Sequence, residues 1–282
     1  MDGTIAITRR AFAATGLVTG FTMAAGPLNA AAIVTDTRGI DAGEVSIAVS
    51  DGHIPGYRAR PAGARHAPVV LVVQEIFGVH EHIRDLCRRF AKLGHYAIAP
   101  SLYARFGDPG KYDMAHVQDL VTDIVAKVPD SEVTSDLDST VAFAGDEGAD
   151  TARLAITGFC WGGRIVWLYA AHNRAVKAGA AWYGPLAGKT GPLRPKTAID
   201  VAGGIKAPIL GLYAGQDRNI TAADIEAMRA TLARGGNMAS RIDVFADAQH
   251  GFNADYRDSY NAKDAREAWS RMLAWFKSNG AG

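Results

Sequence analysis

The sequence predicts an open, mostly parallel, doubly wound α/β sheet with an antiparallel N-terminal hairpin and helices on both faces. Three observations carry this. Apolar runs without alternation, such as "APVVLVVQE", "RLAITG" and "APILGLYAG", suit strands covered on both faces. Segments with helical spacing separate these runs, giving repeated strand–helix units. At the start, "EVSIAVSDGHIPGYRARP" alternates apolar residues on both sides of Asp51-Gly52, a strong hairpin signal.

The elements come in order along the chain. After the hairpin and the "APVVLVVQE" strand, "HIRDLCRRFAKLG" places Ile83, Leu86, Cys87 and Phe90 on one helical face, so Cys87 reads as a small core residue. "YAIAPSL" is the next strand. Polar helical segments are expected around Met114 to Lys127 and Asp136 to Ala144, then the strand "RLAITG" and the helix "GRIVWLYAAHN". The strand "AGAAWYG" leads into a Gly/Pro-rich stretch from Gly184 to Gly204. Long loops beside a sheet's carboxyl edge often line a site. The strand "APILGLYAG", a helix from about Ala222 to Arg234, the strand "SRIDVFA" and the amphipathic helix "AKDAREAWSRMLAWFKS" complete the chain.

Residues 1–32 read as an export signal and 33–282 as a single domain. "TRRAF" precedes the charge-free run "AATGLVTGFTMAAGPLNAAA", in the order n-region, h-region and small-residue cleavage site, with cleavage after Ala30 or Ala32. The run is too short and too rich in Gly and Ala for a membrane span, so no stable membrane association is expected once the signal is removed. Arg9 and Arg10 resemble a twin-arginine signal, which implies the twin-arginine export machinery as a partner and a periplasmic location, or a cytoplasmic one if the signal does not function. A formal net charge of +1 without a basic run lacks the footprint that nucleic-acid binding requires.

The chemistry centres on "GFCWG", residues 158–162. It fits the nucleophile-elbow pattern with cysteine at its centre, between a strand and a helix. The glycines serve a turn whose central residue is strained and whose flanks leave no room for side chains. Cys160 then stands at a helix N-terminus, where the macrodipole and free N–H groups favour a thiolate. A G-x-C-x-G match alone is weak, since glycine is common at such turns. The order of two later residues strengthens it: Asp217 lies just past "ILGLYAGQD" and His250 just past "IDVFADAQ", giving nucleophile, acid and histidine from the carboxyl ends of three strands. In these roles Cys160 attacks a carbonyl carbon, His250 carries protons and Asp217 fixes the imidazole. The backbone N–H groups of Trp161 and Ile76 are the expected oxyanion donors.

The stretches "VVQEIFGVHEHIRDLCRRFAKLGHYAIAPSLYAR", "GFCWGGR", "AWYGP", "GQD" and "QHGF" resemble the dienelactone hydrolase (carboxymethylenebutenolidase) family of α/β-hydrolases over nearly the whole mature chain. The resemblance implies a Cys-Asp-His triad, no cofactor, and hydrolysis of small esters or lactones. It also implies that Glu75 helps ionise the thiol when substrate binds and that Arg105 holds a substrate carboxylate. An unperturbed thiol, with a pKa of ~8.5, is mainly neutral at pH 7 without a nearby base. A second arginine that the family carries four residues after the histidine is here Ala254; Arg257 is the candidate replacement.

Trp161, Trp182 and Tyr183 suit the wall of an apolar pocket, with Tyr183 a substrate contact, while core filling accounts for Trp167 at least as well. His80-Glu81-His82 looks metal-like, but helical neighbours two apart face different ways, and no metal site is expected. Two other readings share the scaffold: a broad carboxylesterase with no carboxylate requirement, and a non-catalytic ligand-binding protein.

Overall fold

The computed structural model describes residues 32–282; the expected export signal lies outside them apart from residue 32. Strand β1 (Ile40–Val49) and β2 (Gly52–Pro61) form the N-terminal hairpin, with Val49 opposite Gly52. Gly52 has φ +144°, a backbone open in practice to glycine alone. Then come β3 (Pro68–Val73), α1 (Glu81–Lys92) and β4 (Tyr96–Pro100). Between β4 and β5 (Asp150–Phe159) lie short 3-10 turns, α2 (Val117–Asp123) and α3 (Asp130–Asp146), which starts six residues before the sequence-predicted helix. Next are α4 (Trp161–His172), β6 (Val176–Trp182), α5 (Ala198–Ala202) and β7 (Ile209–Ala214). The chain finishes with α6 (Ala222–Arg234), β8 (Arg241–Phe245) and α7 (Ala262–Ser278).

The eight strands lie in the order β1-β2-β4-β3-β5-β6-β7-β8. β2 pairs antiparallel with β1 and β4, and every later pairing is parallel. β3 is the central strand, and Val69 to Val73 are fully buried, as an unalternating apolar run requires. The chain moves from β3 to β4 on one side and then crosses to β5 on the other. This reversal opens a crevice beyond the carboxyl ends of β3 and β5, where open α/β sheets bind ligands.

Helix α1 meets α7 through Phe90 against Trp269 and Phe276. On the other face α3 packs on α4, α4 on α5 and α5 on α6. The sequence-predicted face of α1 is buried as expected, Ile83, Leu86, Cys87 and Phe90 all being inaccessible. Cys87 and Cys160 are both free thiols, and burial pushes the Cys87 thiol pKa up.

The first described residues are held against α1. Thr35 donates its backbone N–H to Asp85 at 2.6 Å, and Arg88 donates to the Thr35 carbonyl at 3.0 Å. The Gly184 to Gly204 stretch is tied down as well. Its Leu193 carbonyl accepts from Asp130 N–H at 2.9 Å, Arg194 donates to the Val125 carbonyl at 2.7 Å, and Thr197 and Asp200 form a capping box on α5. Among the described residues no helix is long and apolar enough to cross a membrane.

Candidate active site

Cys160 stands between β5 and α4 as the N-cap of α4, at φ 53°, ψ −116°. L-residues rarely adopt this conformation, and it costs about 1–3 kcal/mol, which the surrounding structure must offset. The glycines show how: a Cβ on Gly158 would sit 2.3 Å from the Gly162 carbonyl oxygen, and one on Gly162 would sit 2.4 Å from that of Gln74. The Cys160 N–H donates to the Trp182 carbonyl at 3.0 Å. The turn is therefore gripped by both neighbours of β5, and the thiol stays partly exposed. Trp161 is the first residue of α4, so its N–H lacks an intrahelical acceptor. Ile76 lies in the tight turn after β3, closed by Gly78 N–H to the Glu75 carbonyl at 3.1 Å.

The sheet brings the other two residues of the expected triad to the same edge. Asp217 follows β7 and His250 follows β8, and His250 Nδ1 lies 2.6 Å from Asp217 Oδ2. The Asp217 carboxylate is 1% exposed and the imidazole 24%. Burial by itself would lower the His250 pKa, but hydrogen bonds with Asp217 and with Cys160 outweigh it and raise it to about 10. Buried Tyr183 packs edge-on against His250, ring centroids 5.1 Å apart, with its own backbone at φ 36°. Trp167 and Trp182 are core residues, their indole N–H groups bonded to Tyr213 and Thr157.

Glu75, at the end of β3, is 1% exposed and lies in a cluster. Its Oε2 accepts from Arg257 at 2.7 Å, and its Oε1 meets His80 Nε2 at 2.6 Å and also takes the Tyr256 hydroxyl. Arg257 Nε donates to that hydroxyl at 2.9 Å. Burial would raise the Glu75 pKa, but the Arg257 cation and the His80 contact hold it well below the usual carboxylate range. Arg257 is electrostatically coupled to Cys160 as well as to Glu75.

Arg105 is placed differently from its expected role. Nε and Nη2 bond Asp51, Nη1 bonds Glu132 and Asp136, and Nη2 bonds Asp136. A guanidinium has five N–H donors, so three carboxylates take all of them and this arrangement leaves none for a substrate carboxylate.

Sequence reasoning missed His80 and Tyr256 as site residues. His80 caps α1 in extended backbone rather than lying within the helix, so its ring stacks over His82, centroids 6.1 Å apart, instead of facing away. His82 in turn bonds Asp255 at 3.0 Å. The hydroxyls of Tyr103 and Tyr183 are buried without a hydrogen-bond partner among the described residues; the Tyr103 ring packs edge-on against Trp161 and the Tyr183 ring edge-on against His250.

Known proteins resemble this chain over most of its length. A family model described as "Dienelactone hydrolase family" matches residues 54–280. A "Putative carboxymethylenebutenolidase" of Methylorubrum extorquens is 54% identical over 276 residues, covering 97% of this chain and 94% of the relative. One of the same description from Escherichia coli is 52% identical over 268 residues, 95% of this chain and 98% of the relative. A crystal structure described as "Putative Dienelactone Hydrolase", from Klebsiella pneumoniae, is 52% identical with a TM-score of 0.81, covering 84% of this chain and 98% of that one.

The charges around the site lead to two measurable outcomes. A histidine raised from 6.5 to about 10 stabilises the fold fully below about pH 6.5 and loses that contribution as pH rises through 10. NMR titration of His250 should therefore give a midpoint near 10 that falls in Asp217→Asn and in Cys160→Ala; a midpoint near 6.5 in the wild type would contradict the pairing. Arg105→Ala should lower stability by about 3 kcal/mol, because it leaves the buried Asp136 without its cation. Its KM for a carboxylate-bearing ester should stay near the wild-type value, and chemical denaturation with steady-state kinetics checks both.

Proposed function

The chain belongs to the dienelactone hydrolase family and is a hydrolase acting on ester bonds, and from that premise we propose that Cys160 is its nucleophile in cleaving small activated esters or lactones. The observation that carries this reading is the strained turn that holds Cys160 at a helix N-terminus within reach of the His250–Asp217 pair. The thiolate attacks the carbonyl carbon, and the negative oxygen that develops is held by the N–H groups of Trp161 and Ile76. His250 protonates the departing oxygen, leaving an acyl thioester on Cys160, and then takes a proton from the water that hydrolyses it. Asp217 keeps the imidazole in one tautomer and offsets its charge.

A thiolate is itself a good leaving group, so the first tetrahedral intermediate collapses forward only when the other leaving group is better. Ring strain or a stabilised enolate supplies that condition, which favours activated lactones and enol esters over simple alkyl esters. Arg257 is the candidate donor to a substrate carboxylate, being paired with Glu75 alone among the carboxylates of the described residues. When Arg257 turns to a substrate, Glu75 loses its cation and becomes the base that takes the Cys160 proton. No cofactor enters these steps.

The engagement of Arg105 by three carboxylates supports a second reading, a broad carboxylesterase with no carboxylate requirement. We also propose that the Arg9-Arg10 segment directs the folded protein through twin-arginine export to the periplasm.

Product formation from dienelactone and from a neutral aryl ester of similar size, by wild type and Cys160→Ala, tests the reading. Wild type should hydrolyse the lactone and Cys160→Ala should lose at least about a thousandfold in kcat. Hydrolysis of the neutral ester alone would favour the second reading. Near-wild-type turnover by folded Cys160→Ala would end the cysteine mechanism.

A further inference from the structure

The active-site edge carries two carboxylate–histidine pairs of equal length. Asp217 and His250 meet at 2.6 Å, and Glu75 and His80 also meet at 2.6 Å. The second pair is the deeper, its imidazole 10% exposed against 24% for His250.

His80 occupies a position that helix physics fills with Ser, Thr, Asp or Asn, whose side chains accept from the first turn. It makes no such bond; instead the ring turns inward to Glu75. The site accounts for this residue, and the helix does not. Facing the ring are Glu75 from the end of β3, His82 on α1, and Tyr256 and Arg257 from the segment before α7. Burial, with the Arg257 cation beside it, lowers the His80 pKa against the pull of Glu75. The imidazole is therefore neutral, and with a carboxylate as partner its proton sits on Nε2.

We propose that His80 is a positioning residue for Glu75, whose Nε2–H keeps the carboxylate ionised and fixed in direction when Arg257 turns to a substrate carboxylate. This rests on the proposed roles of Glu75 as base and Arg257 as carboxylate donor. Of the three donors to Glu75, Arg257 alone is on Oε2, while His80 and Tyr256 share Oε1. Without the cation, a carboxylate this deep would take up a proton, because burial disfavours its charged form. Donors to the charged form oppose that, and the two on Oε1 stay behind. Glu75 then remains a base: the Cys160 S–H bond breaks, the proton forms an O–H bond on Glu75, and sulfur keeps the electron pair for attack on the carbonyl carbon.

Three variants test this: His80→Leu, which removes the donor; His80→Gln, which keeps an N–H without an imidazole; and Glu75→Gln. The readouts are the Glu75 carboxyl titration by carbon NMR and the pH profile of kcat, which reports the enzyme–substrate complex, for an activated ester bearing a carboxylate. In His80→Leu both the Glu75 midpoint and the acid limb of kcat should rise by about one pH unit or more, a loss of about tenfold in kcat on the acid side. His80→Gln should restore both. An unmoved Glu75 midpoint in folded His80→Leu, or no rescue by glutamine, overturns the proposal. Wild-type protein gives a reading that needs no variant: nitrogen NMR at about pH 7 to 9 should show His80 as the neutral Nε2–H tautomer, and an imidazolium or an Nδ1–H ring there overturns it. Full turnover by Glu75→Gln overturns the role of Glu75 instead, and the titration of Glu75 in His80→Leu tells that failure from the first.

Discussion

The site depends on how closely three backbones approach one another at the ends of β3, β5 and β6. A Cβ on Gly163 would stand 2.5 Å from the Trp182 carbonyl oxygen, and one on Gly184 would stand 2.3 Å from the Gly163 carbonyl carbon. With Gly158 and Gly162 this makes a patch in which backbone packs on backbone and no side chain intervenes. The first turn of α4 is drawn onto the neighbouring strands, and the one residue left to project from the turn is Cys160, in a conformation it adopts under that constraint. The strain is local, and the contacts that offset it belong to the core of the sheet.

Around that fixed thiol the charges are arranged in two ways. On one side a buried carboxylate and a partly exposed imidazole make a pair that favours the protonated ring. On the other, Glu75 lies among a cation, a histidine and a phenol, and the same cluster runs through His82, Asp255 and Arg89 to α1. Asp255 also accepts from the backbone N–H of Ile33 at 3.3 Å, so the first residues of the domain brace the back of the site. Buried charges are retained at such cost only where each is paired; here Glu75 with Arg257 and Asp255 with Arg89 are two such pairings, joined through the stacked rings of His80 and His82.

Much of this was legible in the sequence. Unalternating apolar runs identify the covered strands, Asp51-Gly52 the hairpin, and the strand ends the edge to which Cys160, Asp217 and His250 are brought, because each signal is local and has a local physical cause. The features that were not legible depended on distant partners. Nothing in "LYAR" tells that Arg105 meets Asp51 and Asp136, which come from the hairpin and from α3. Nothing in "GVHEH" tells that the helix begins after His80, which turns two histidines to one side. Arg257 had a chemical reason to matter, but only the packing of the segment before α7 against β3 puts it on Glu75. α5 is short, and its capping pair Thr197 and Asp200 lay inside a stretch whose glycines and prolines suggested loop.

Catalysis through a covalent bond to Cys160 is the step on which the mechanism stands. Rapid acid quenching during turnover of an activated aryl ester, followed by mass measurement of the protein and its peptides, tests it most directly. The mechanism predicts one acyl group per chain on the peptide containing Cys160, formed at least as fast as kcat and absent from Cys160→Ala. An acyl group on another residue, or turnover with no adduct when deacylation is shown to be the slow step, would contradict it.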